Sequence, residues 1–147
     1  MELSDNQNYV NYMDLFADRR YGSAVEALAK CLQDFRGDNI KESFLLKLMA
    51  DTYFSEGKVE KSFEYYSKSE MADSESLQPK LFFAEFLAKK IGNYAEAIEK
   101  CDEILRLAES NPFEETEEDF GSDYYASKAE EISLYCQQQI AAKNGKD

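Results

Sequence analysis

The chain has 147 residues, 17 Lys and Arg against 30 Asp and Glu for a net charge of −13, and no His. A charge of that sign argues against nucleic acid or an anionic membrane as partner, and the lack of His removes the usual general base and the commonest metal ligand. Its length fits one domain, and 44% hydrophobic residues with ten Phe and ten Tyr argue for a packed core over a disordered chain.

Met1 to Val10 is polar and acidic, without a basic region leading into an apolar run. No apolar stretch approaches the roughly 18 residues of a membrane span. Cys31, Cys101 and Cys136 are odd in number and widely spaced, unlike a disulfide framework. A cytoplasmic chain is expected.

Helical periodicity predicts seven helices, at 8–18, 22–35, 40–55, 59–72, 78–91, 94–110 and 123–142. Tyr21, Ala24, Leu28, Cys31 and Phe35 step by three and four along the second. Leu45, Met49 and Tyr53 do the same in the third, which Asn39 and Glu42 are spaced to cap. Pro79 suits the first turn of the fifth, where its missing N–H is no loss. Tyr94, Ala97, Cys101, Leu105 and Ala108 stripe the sixth, which Pro112 would stop. Tyr125, Ala129, Ile132, Cys136 and Ile140 stripe the last. No window alternates apolar and polar residues, so no strand is expected.

Three segments share one pattern: Tyr21 to Leu28, Val59 to Tyr66 and Tyr94 to Cys101. Each runs from a large apolar residue to a small one three places on, then an apolar residue, a Glu, and a core residue two further on. The small residues are Ala24, Ser62 and Ala97, where a neighbouring helix could approach closely. Each copy follows another helix after a tight turn, around Arg19, Gly57 and Gly92. The unit of helix, turn and helix, together with Leu46, Met49, Ala50, Tyr53 and Gly57 followed by Ser62, Tyr66 and Ser69, resembles the tetratricopeptide repeat. The small position of the first helix is Ala50 in the middle copy but falls on Tyr12 in the first and Glu85 in the third. The resemblance implies an all-α, right-handed superhelix of antiparallel helix pairs, with repeats at 8–35, 40–73 and 77–111. An acidic loop at 112–122 and a capping helix at 123–142 would complete a single domain. An irregular helical bundle is the alternative.

No catalytic, cofactor or metal site emerges. The cysteines lie on core stripes, without a His to activate them. Glu115, Glu117 and Asp119 alternate as in a calcium loop, but Gly121 is one place late and Ala126 stands where a bidentate Glu should. A solvated loop is the better reading. Lys89 and Lys90 suit a helix C-terminus without any ligand. An enzyme is therefore not expected.

The resemblance also implies that the first helix of each pair lines a concave groove. Phe16, Phe44, Lys47, Asp51, Phe54, Phe82, Phe86, Lys89 and Lys90 would form a partner-binding surface, with Tyr9, Met13 and Leu48 at its border, although some of these must be core. Tyr9 and Met13 occupy positions where a carboxylate-clamping subset of the family carries charged or amide side chains, so that clamp is not expected. The implied function is a scaffold-type protein–protein interaction module, binding an apolar segment or amphipathic helix in the groove. The alternative is an acidic inhibitor, immunity-type protein or chaperone that covers a basic partner. A second copy of the chain could also fill the groove.

Overall fold

The computed structural model describes residues 1–145, and its regular elements are all helical. After a 3₁₀ turn at Leu3–Asp5 come α1 (Gln7–Ala17), α2 (Tyr21–Asp34), α3 (Asn39–Ser55), α4 (Val59–Ala72), α5 (Leu77–Glu85), α6 (Tyr94–Ser110) and α7 (Ser122–Asn144). Seven α-helices and no strand occur among the described residues, and each expected helix is present. The chain divides into two compact units, one ending at Ser74 and the other beginning at Glu75. In the first, α1 packs on α2, α2 on α3 and α3 on α4; in the second, α5 packs on α6 and α7, and α6 on α7.

The turn inside each helix pair is built the same way three times. Arg19, Gly57 and Gly92 all take the left-handed conformation, at φ of 61°, 81° and 74°. One residue later, the N–H of Arg20 bonds to the Leu15 carbonyl, that of Lys58 to Tyr53, and that of Asn93 to Leu87, at 2.9, 2.9 and 2.8 Å. These long-range closures satisfy carbonyls that the ending helix leaves bare. The second helix then starts with matching bonds, Ala24 to Arg20, Ser62 to Lys58 and Ala97 to Asn93, at 2.9, 3.0 and 3.0 Å. Ala24, Ser62 and Ala97 are fully buried, as their small size at one repeat position predicts.

The third turn spans one more residue than the others. Seven residues separate Tyr12 from Arg19 and Ala50 from Gly57. In the third pair the fully buried small residue is Ala84, eight before Gly92, and Glu85 is exposed. A π-helical stretch, Phe86–Ile91, takes up the surplus residue, since a π turn holds one more residue than an α turn. The apparent loss of the small residue at Glu85 is thus a shift of one place.

Hydroxyl groups tie α3 to α4. Ser43 Oγ donates to the Ser69 carbonyl and Ser69 Oγ to the Ser43 carbonyl, both at 2.7 Å, while Ser62 Oγ donates to the Ala50 carbonyl at 2.8 Å. All three serines are buried; a larger side chain would hold the helices apart. The cap of α3 sits one residue earlier than the sequence suggests. Asp38 accepts from the Lys41 N–H at 3.1 Å, and Glu42 reaches back to the Gly37 N–H at 2.8 Å.

In the second unit α7 lays Tyr125, Ala129, Ile132 and Cys136 into the core, meeting the stripe of Ala97, Cys101, Ile104 and Ala108 on α6. This is the packing expected of a capping helix. Lys80 is buried and pairs with Glu103 at 3.3 Å, joining α5 to α6.

Candidate protein-interaction surface

The expected binding residues of the first unit lie on α1 and α3. Phe16, Phe44 and Phe54 are half-buried, as are Tyr9 and Leu48, while Met13 is 52% exposed. Along α1 the rings form a row: Tyr9 to Tyr12 at 5.8 Å, Tyr12 to Phe16 at 5.9 Å, and Phe16 to Tyr21 of α2 at 5.3 Å. Tyr12 is the buried member, anchored among Leu28, Cys31, Leu45 and Met49. Burial, then the nearby Tyr9 and Asp51, push its hydroxyl up to about 12, and it hydrogen-bonds the Thr52 side chain. This anchoring holds the flanking, partly exposed rings at fixed positions.

Lys47 and Asp51 are brought together by their spacing of four on α3, with Nζ 2.8 Å from the carboxylate. Asp51 also accepts a hydrogen bond from the Tyr66 hydroxyl of α4. The two charges offset each other, so this part of the surface carries little net charge.

In the second unit the expected residues separate. Phe82 is half-buried. Phe86 is only 2% exposed and cannot line a groove. The reason lies in α5 and its π extension, where Leu81, Phe83, Ala84, Phe86, Leu87 and Ala88 are all buried. A helix enclosed on most of its circumference has no broad solvent face, so the groove position that the resemblance implies for Phe86 is a core position. Lys89 and Lys90 are exposed. Lys89 places Nζ 3.5 Å from the ring centroid of Tyr135 on α7, a cation–π contact across the helix pair. Lys89, Glu85, Tyr124, Lys128, Glu131 and Ile132 line a cleft of about 370 Å³.

Cys31, Cys101 and Cys136 are free and buried. Burial, with a smaller contribution from nearby Asp34, pushes the Cys31 thiol up to about 11. Burial and then the neighbouring Cys136 push Cys101 up to about 12. Burial also raises Cys136, against a small opposing effect of Lys89. These thiols stay protonated near neutral pH and are poor nucleophiles. Among the described residues no group of three or more His, Cys, Asp or Glu side chains is placed to hold a metal ion, and no helix is long and apolar enough to cross a membrane.

Neither a known protein-family model nor a curated protein matches the chain.

Two features escaped the sequence reading. Tyr135, the ring beneath Lys89, lies far along the chain from it and had no motif to mark it. The exposed aromatics Phe113, Phe120 and Tyr124 were masked by the acids around them, which read as a solvated loop.

Proposed function

We propose that the chain is a non-enzymatic, tetratricopeptide-like interaction module that binds an apolar polypeptide segment along α1 and α3. The supporting observation is the row of Tyr9 and Phe16 held through buried Tyr12 on α1, together with exposed Met13 on α1 and partly exposed Phe44 and Phe54 on α3. The thrice-built turn supports the repeat assignment. Buried, unpaired thiols suit a reducing compartment such as the cytoplasm. The reading is tested by capturing a partner on the immobilised chain, then measuring its affinity for the wild type and for Met13→Glu and Phe44→Ala. Loss of affinity in folded variants, with little dependence on salt, supports the reading. Unchanged affinity in both variants removes it.

A second reading, an acidic protein that covers a basic partner, is favoured by one observation. Six of the ten residues from Glu114 to Asp123 are acidic, and no Lys or Arg occurs between Arg106 and Lys128. Such a field steers cationic partners and weakens steeply with salt.

A further inference from the structure

The segment between α6 and α7 is a folded loop that holds aromatic rings in the open. Ser122 fastens it: the Ser122 N–H donates to the Phe113 carbonyl at 2.9 Å, its hydroxyl donates to the same oxygen at 3.0 Å, and the Phe113 N–H donates to that hydroxyl at 3.1 Å. Inside the loop the Thr116 N–H donates to the Asp119 carbonyl at 2.8 Å, and the Tyr125 hydroxyl donates to the Asp119 carboxylate. Gly121 passes so close to the returning strand of the loop that a Cβ there would lie 2.9 Å from the Glu115 nitrogen.

Phe113, Phe120 and Tyr124 remain 38%, 45% and 36% exposed. Phe120 and Tyr124 stack at 4.0 Å with their planes 19° apart. With Glu114, Glu115 and Asp123 these rings line a cleft of about 520 Å³. Clustered aromatic rings left in water mark an interaction site more often than scattered ones do.

The chemistry of the lining restricts the occupant. An anionic segment is repelled, and a purely apolar one would strip water from carboxylates without pairing them. A guanidinium satisfies both demands, because its flat face stacks on a ring while its N–H fork pairs a carboxylate. The Tyr124 ring already attracts a cation: Lys128 Nζ sits 5.8 Å from its centroid.

We propose that the Phe113–Phe120–Tyr124 cleft docks an arginine-bearing segment of a basic partner protein. The inference rests on the second reading above for the charge of the partner, and assigns that partner to one surface. It is tested by titrating the isotope-labelled full chain with a short synthetic peptide alternating arginine with glycine, following backbone amide shifts. The expected result is saturable binding with shifts concentrated in residues 113–124. Affinity should fall about tenfold in Phe120→Ala and in Tyr124→Ala, and several-fold when lysine replaces arginine in the peptide or in Glu115→Gln. A glutamate–glycine peptide should not bind. Both ring variants are checked by melting; if one unfolds, the shift map of the wild type decides. Shifts spread evenly over the acidic surface, or full affinity in folded ring variants, overturn the cleft assignment while leaving the second reading standing. No binding of the arginine peptide overturns both.

Discussion

Replacing Ala97 by Glu probes the most repeated contact in the fold. Ala97 is fully buried on α6, on the stripe that continues through Cys101 and Ile104. The larger side chain overpacks a closed helix interface, at a cost of about 1–3 kcal/mol. Its carboxyl must also stay protonated in the folded state. Holding a group whose unfolded pKa is about 4.3 neutral at pH 7 costs roughly 4 kcal/mol. The sum, about 5–7 kcal/mol, corresponds to a melting temperature lower by roughly 15–25 °C for a chain of this size. The charge component has a sign that can be checked. A raised folded-state pKa leaves the carboxyl neutral in both states below about pH 4, so that component vanishes there and grows as pH rises toward 7. Thermal melts of Ala97→Glu and Ala97→Gln at both pH values separate the contributions: Gln should show a smaller, pH-independent loss. A Glu variant melting within a few degrees of wild type at pH 7 would refute the assignment of Ala97 to a close helix contact.

Three other outcomes follow from the packing. Ser43→Ala and Ser69→Ala should each lose about 1 kcal/mol in denaturant unfolding, and the double variant less than their sum, because the two hydroxyls also hydrogen-bond each other at 3.1 Å; strict additivity would contradict that hydroxyl–hydroxyl bond. Arg19→Gly should stabilise the first turn by up to about 1 kcal/mol, since Arg19 holds the left-handed conformation that Gly57 and Gly92 occupy without strain, and a destabilised variant would contradict the equivalence of the three turns. Stability should fall as pH rises above the ordinary thiol value of 9.0, because Cys31 and Cys101 hold their protons to about 11 and about 12 in the fold, and Tyr12 to about 12. These groups ionise first in the unfolded chain, so the stability they contribute is complete below about pH 9 and is lost through about pH 12; a denaturant midpoint unchanged between about pH 8 and about pH 11 would contradict their burial.

Most of the helical architecture was legible because the apolar stripes are long and the punctuation is sparse. The stripes on α2, α6 and α7 place Ala24, Ala97, Cys101, Ala129 and Cys136 in the core, where the structure has them. What stayed hidden depended on backbone states that residue types do not announce. Arg19 carries a left-handed turn without a glycine to signal it. The π stretch moves the small contact from Glu85 to Ala84, which a pattern of fixed spacing cannot follow. The repeat resemblance implies a groove position for Phe86, which assumes that the first helix of each pair keeps an open face and fails on a helix covered nearly all round. The loop at 112–122 looked solvated from its acids alone, because its order comes from the Ser122 and Asp119 bonds, which composition does not reveal. Lys47 and Asp51 were each read as facing a partner, whereas their spacing of four lets them face one another.

The central claim is that α1 and α3 present an apolar binding surface whose strength does not come from charge. The most direct measurement is partner affinity by calorimetry for the wild type and for Phe44→Ala, at low and at high salt. The account predicts at least about a fivefold loss in Phe44→Ala, the scale of one interface side chain worth about 1 kcal/mol, with wild-type affinity changing little between the two salt conditions. Full affinity in Phe44→Ala together with steep loss of wild-type binding at high salt would contradict it.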